Sequence, residues 1–235
     1  MKKINIFKIF LVVLCVLFLT SCVKKIEKED NIVDTFEEFK TVVSEKPENV
    51  TYEMKYSMII SFGGKKETAE VDINVKLDDN KALVDGVIDE EAGKAYAELV
   101  GGKYHAWSYT DGEWSEEDII TKEEFESTLS YPMIEVKEGD FEYKDGKWVA
   151  DNEKIKSAVI DALGNSEFSD SDIELNIEVK NYVITIKDNH ISNLSMEFSF
   201  IVGEGAYSYG FEYVYEISFK DYGTTKVEKP SALTK

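Results

Sequence analysis

From Val50 onward, apolar side chains fall on every second position of this chain. Tyr52, Met54, Tyr56, Met58, Ile60 and Phe62 share one face of a long stretch whose intervening residues are mostly polar. A period of two places them on one side of a β-strand. Gly63-Gly64 turns the chain into a second strand, where Ala69, Val71, Ile73, Val75 and Leu77 alternate with Glu70, Asp72, Asn74 and Lys76. Asp78-Asp79-Asn80 is the next turn signal. Shorter strands are expected near 81–88, 94–100 and 103–109, the last two joined through Gly101-Gly102. The final third alternates again: Ile173, Leu175, Ile177 and Val179, then Tyr182, Ile184 and Ile186, then Leu194, Met196, Phe198, Phe200 and Val202. The most regular strand closes the series with Tyr207, Tyr209, Phe211, Tyr213, Tyr215, Ile217 and Phe219 on one face.

Three segments change period to about 3.6. Ile32, Val33, Phe36, Phe39, Val42 and Val43 predict an amphipathic helix over 31–46, stopped by Pro47. Thr121-Lys122-Glu123-Glu124 fits a capping box opening a short helix to about Ser130. Asp151 is the expected cap of a third, with Ile155, Ala158, Val159, Ala162 and Leu163 on its face and Gly164 as its stop. One pattern occurs twice: Tyr109-Thr110-Asp111-Gly112-Glu113-Trp114 and Tyr143-Lys144-Asp145-Gly146-Lys147-Trp148. Asp-Gly suits a two-residue hairpin turn, and the flanking aromatics pair across the strands. The sum is a mainly β (α+β) chain of about eleven strands and about three helices.

The first residues follow another rule. Lys2, Lys3 and Lys8 make a positive start, Ile9 to Leu19 is an apolar run of eleven residues, and Leu19-Thr20-Ser21-Cys22 follows. A membrane-spanning helix needs about 20 apolar residues, so this stretch is a secretory signal. Its end resembles the bacterial lipobox, with cleavage between Ser21 and Cys22 and a diacylglycerol on the Cys22 thiol. The chain then divides into a signal peptide (1–21), a lipidated tether (22–30) and a single β-rich domain (31–235). Val23 to Asp30 reach at most about 27 Å, which keeps the domain close to its membrane.

Charge and cysteine usage narrow the chemistry. Loss of the signal leaves 24 lysines against 47 acids, a net charge of −23. Such a chain is repelled by nucleic acid and by anionic headgroups. It has no arginine, the residue that grips phosphate or carboxylate in a bidentate fork. Cys15 leaves with the signal and Cys22 is consumed by lipid, so the domain has no disulfide, thiolate nucleophile or cysteine ligand. Catalysis needs a nucleophile with a base, paired carboxylates in a cleft, or a metal. His105 and His190 stand far apart, and no nucleophile elbow or phosphate-cradling loop occurs. The acids Asp78, Asp79, Asp85, Asp89, Glu90 and Glu91 miss the calcium-loop spacing, since Ala82 and Leu83 stand where a ligand and a glycine belong. The expectation is therefore no enzyme, no cofactor and no metal.

What remains is apolar surface. A dry core uses tyrosine sparingly because each hydroxyl must find a partner, yet the two long strands offer six tyrosines among thirteen inward positions. Tyr52, Met54, Tyr56, Met58, Met196, Phe198, Tyr209, Phe211, Tyr213 and Tyr215 are the candidate lining of a pocket for an amphiphile. The alternative is that these faces meet the helices and pack solid.

The order of elements, the Tyr109–Trp114 hairpin, and the ending Ile217-Ser218-Phe219-Lys220-Asp221-Tyr222-Gly223 with Val227-Glu228-Lys229-Pro230 together resemble the LolA/LppX–LprG-like bacterial lipoproteins, on their Gram-positive side. The resemblance implies an unclosed antiparallel half-barrel with helices on its concave side, binding lipid or acyl chains, and brings no catalytic residues. The expected function is a lipoprotein on the extracytoplasmic face of the cell membrane, holding a hydrophobic or amphiphilic ligand without chemical change. A surface module with a solid core, acting on an unidentified protein partner, is the alternative.

Overall fold

The computed structural model describes residues 32–45, 47–88, 91–117, 119, 134–164, 176–202 and 208–234. Helix α1 (Phe36–Ser44) precedes β1 (Asn49–Phe62), β2 (Lys65–Asp78), β3 (Lys81–Ile88), β4 (Glu91–Val100), β5 (Lys103–Thr110) and β6 (Glu113–Glu116). Then come β7 (Phe141–Lys144), β8 (Lys147–Ala150), helix α2 (Asn152–Gly164), β9 (Asn176–Lys187), β10 (His190–Val202) and β11 (Tyr209–Lys220). The expected helix near 121–130 lies outside the described residues.

All eleven strands join one antiparallel, unclosed sheet in the order β6-β5-β4-β3-β2-β1-β11-β10-β9-β8-β7. The chain lays down six strands as a meander toward one edge, then returns from the other edge until β11 lies beside β1. Hairpin turns at Gly63-Gly64, Gly101-Gly102, Asp111-Gly112 and Asp145-Gly146 have positive φ at both central residues, which matches the turn to the strand twist. The repeated hairpin motif forms as expected. Tyr109 pairs with Trp114 and Tyr143 with Trp148, their rings 5.3 and 5.6 Å apart.

Two β-bulges explain breaks in the alternation. Within 177–186 the apolar positions slip from odd (Ile177, Val179) to even (Tyr182, Ile184), which in sequence resembles a break. The chain instead makes the single strand β9, paired to β10 with a register shift that leaves Lys180 as the extra residue. A second shift at Ser192 moves Ile191 and Leu194 onto the same face. One inserted residue per bulge keeps both apolar sets pointing to the core.

That core lies between one face of the sheet, here the inner face, and the helices. Phe39 of α1, Ile155 and Val159 of α2, and Ile134 and Val136 pack with Val50, Tyr52, Met54, Ile184, Leu194 and Ile217. Helix α1 is shorter than expected at its start. The Val33 carbonyl accepts the Trp148 indole N–H at 2.9 Å, so residues 32–34 are held against the β7–β8 hairpin instead of coiling. Ile32, expected on the buried stripe, is 70% exposed. Strand β3 approaches β2 closely at Gly86, where a Cβ would sit 2.4 Å from the Asp72 carbonyl oxygen.

Candidate functional site

Strand register builds the inner face one row at a time. Across β1 and β11, Tyr52 opposes Phe219, Met54 opposes Ile217, Tyr56 opposes Tyr215, and Met58 opposes Tyr213. Ile60 and Phe62 then oppose Phe211 and Tyr209. On the far side of β11, Met196, Phe198 and Phe200 of β10 face Tyr215, Tyr213 and Phe211. All ten residues expected to line a pocket therefore share one face.

Burial divides that face in two. In the closed half, Tyr52 (3% exposed) and Met54 (5%) belong to the core cluster that also holds Phe39 of α1, Ile155 of α2 and Phe141 and Trp148 of the β7–β8 hairpin. Phe39 lies flat on Trp148 at 4.2 Å, and Phe141 stands edge-on to Tyr182 at 5.6 Å. This half packs solid. In the other half, Tyr56, Met58, Ile60, Phe211, Tyr213 and Tyr215 are half-buried, and the last pair, Phe62 and Tyr209, is 41% and 42% exposed. Phe198 and Phe200 at its flank are buried.

The rings of the open half are layered on one another. Tyr56 stacks on Tyr215 at 4.6 Å, Phe198 on Tyr213 at 4.8 Å, Phe200 on Phe211 at 4.9 Å and Phe62 on Tyr209 at 4.2 Å. Each such pair adds about 0.5–1.5 kcal/mol beyond area burial. Burial pushes the Tyr213 phenol up to about 12. Tyr215 is raised further by burial and by the Tyr213 phenol, against the hydrogen bond with Tyr56. Both phenols stay protonated at physiological pH, and that of Tyr215 is engaged with Tyr56 inside the face.

The opposite, outer face is polar over β1, β10 and β11. Lys66 pairs with Glu212 at 3.1 Å, Lys55 with Asp72 at 3.8 Å, and Lys180 with Glu197 and Glu212 at 3.4 and 4.0 Å. A depression of about 480 Å³ among Lys55, Ser57, Asp72, Val214 and Glu216 lies on this solvated face.

Sequence reasoning missed a second feature, a strap over the outer face of β1–β6. After β11, Thr225 donates its N–H to Asn49 Oδ1 at 2.8 Å, and its hydroxyl lies 3.0 Å from that of Thr51. The Val227 N–H reaches Asp78 Oδ2 at 3.1 Å. Lys229 bonds the Glu98 carboxylate and sits 5.0 Å from the centre of the Trp107 ring. Beneath it Tyr96 is 1% exposed and donates its hydroxyl to Glu98 at 2.8 Å. Burial pushes the Glu98 carboxyl up, but the hydrogen bonds from Lys229 and Tyr96 outweigh this and hold it below the usual carboxylate value. The strap ends in a 3₁₀ turn, Ser231–Leu233. The available signal was the outward set Tyr96, Trp107, Tyr109 and Trp114, facing away from small inward residues such as Ala95, Ala97, Ala106 and Ser108.

Other sequence candidates fall apart in space. His105 Nδ1 is 3.5 Å from Glu116, while His190 stacks on Tyr222 at 4.3 Å. Asp78 accepts bonds from Asn49 and Val227, and Asp85 from Lys94. No group of three or more His, Cys, Asp or Glu placed to hold a metal occurs among the described residues. Among the same residues no helix is long and apolar enough to cross a membrane. Ser21 and Cys22 lie outside them.

Comparison with known proteins gives loose likenesses alone. No family model matches the chain, and no curated protein matches it. A DUF1329 family protein from Desulfovibrio piger is similar over 84% of this chain and 93% of its own, at 12% identity and a TM-score of 0.25. A putative outer membrane lipoprotein-sorting protein domain from Vibrio parahaemolyticus covers 83% and 92%, at 7% identity and a TM-score of 0.27. A LolA superfamily protein from Nitrosomonas europaea covers 83% and 92%, at 8% identity and a TM-score of 0.22. At these TM-scores the likenesses bear on neither fold nor function, and the architecture rests on the register of this chain's own strands.

Proposed function

We propose that this protein is a membrane-tethered, extracytoplasmic lipoprotein that holds a lipid-like amphiphile on the open half of its inner face and performs no chemistry on it. The observation that carries this reading is the burial gradient along β1 and β11, from a solid core at Tyr52 and Phe219 to the exposed ring pair Phe62–Tyr209. The resemblance of its sequence to LolA/LppX–LprG-like lipoproteins supports the same ligand class. Cys22 carries the anchor, and a tether of at most about 27 Å keeps the domain close to the bilayer that would supply the ligand. The test is to extract the chain in mild detergent and analyse what accompanies it by native mass spectrometry. The expected result is an acylated N-terminus at Cys22 and one additional, non-covalent lipid per chain. An acylated protein bearing no second lipid would support the other reading, a surface module with a solid scaffold, which the packing of the closed half favours.

A further inference from the structure

The outer face carries two aromatic sites side by side, and the strap fills only one of them. Cross-strand pairing sets Leu83, Tyr96, Trp107 and Glu116 in one row and Asp85, Lys94, Tyr109 and Trp114 in the next. In the first row the site holds a cation of the protein itself, the Lys229 ammonium, over Trp107 and against Glu98. In the second row, Tyr109 and Trp114 meet at 5.3 Å with their planes 50° apart, which makes a corner with two ring faces. The corner opens into a depression of about 610 Å³ lined by Lys94, Gly112 and Glu113, with Ala232 and Leu233 of the strap as its other wall. That volume lies within the range of small-molecule sites, about 300–1,000 Å³.

We propose that this corner binds the ammonium group of a small organic cation. A ring face attracts a cation through its quadrupole when the charge lies within about 6 Å of the centroid. Among the described residues, the one cationic side chain lining the depression, Lys94, is neutralised by Asp85 at 2.8 Å. Glu113 then leaves the site with a net negative charge, in a chain whose own charge of −20 concentrates cations and repels anions. The wall from Ala232 and Leu233 admits methyl or methylene groups, which favours an alkylated ammonium over a bare metal ion. This site is separate from the inner face, so it stands or falls independently of the amphiphile reading.

The test is to titrate the full chain, in a polyoxyethylene detergent, with choline chloride while following the indole N–H signals by NMR, with sodium chloride and glucose as controls. The site predicts a saturable shift of the Trp114 signal with choline alone. Glu113→Gln, a change at the exposed start of β6, weakens binding about three- to tenfold and leaves the fold intact by circular dichroism. Trp114→Ala abolishes binding. If sodium or glucose shifts Trp114 as choline does, or if Glu113→Gln binds choline undiminished, the assignment is wrong.

Discussion

At the scale of single residues, the sheet depends on a few contacts that tolerate no substitution. Gly86 is one: an added Cβ would meet the Asp72 carbonyl oxygen at 2.4 Å and Ile73 Cγ2 at 2.5 Å. Both belong to the neighbouring strand, so nothing flexible can yield. Gly86→Ala is expected to destabilise the domain by about 1–3 kcal/mol, seen as a lower urea midpoint. The Glu98–Lys229 pair sets a second expectation. Because the folded Glu98 carboxyl lies below its ordinary value of 4.5, its contribution is present above that pH and is lost as pH falls through the folded value. Lys229→Met removes the main partner. The variant should therefore be less stable than the parent at neutral pH, with the difference closing in strong acid. Urea titrations across pH 3–7 check this; a difference constant with pH would show that Lys229 acts through packing alone.

At the scale of elements, most of the sheet was legible because its strands alternate cleanly and its hairpins carry paired residues suited to positive φ. Gly63-Gly64, Gly101-Gly102 and Asp145-Gly146 sit where the alternation stops, and turns form there. The candidate face was legible for the same reason: a strand's period fixes which side chains share a side. Two things were not. A β-bulge appears in sequence only as a slip from odd to even, which looks like a break between strands, as it does around Lys180. The strap has no period at all. Thr225 and Val227 are buried by hydrogen bonds to Asn49, Thr51 and Asp78, contacts too far apart in sequence for a local pattern to announce. The length of α1 likewise hung on one distant bond, from Trp148 to the Val33 carbonyl. The bulge is open to direct test. Deleting Lys180 forces Tyr182, Ile184 and Ile186 to exchange faces with their polar neighbours, and a one-residue slip moves the whole apolar set out of the core. The deletion is expected to abolish cooperative thermal unfolding monitored by circular dichroism, whereas Lys180→Ala keeps it.

At the scale of the whole molecule, one sheet presents three kinds of surface along its length and across its thickness. Its inner face is solid where α1 and α2 cover it and open where the rings of β1, β10 and β11 continue past them. Its outer face is charged beneath the open half and aromatic under the strap. In the proposed reading, the large acidic charge keeps the chain soluble beside its membrane and the tyrosine-rich patch is its apolar contact with the ligand. Acyl-chain binding should then respond to the open half and to nothing else. The decisive measurement is the affinity of the full chain for a fluorescent fatty-acyl probe, compared with Met58→Asp in the open half and Trp114→Phe on the outer face. The account predicts saturable binding at one site per chain, weakened at least about tenfold by the buried charge of Met58→Asp and unchanged by Trp114→Phe. Binding that Met58→Asp leaves intact, or a parent chain that does not bind the probe at all, would contradict it.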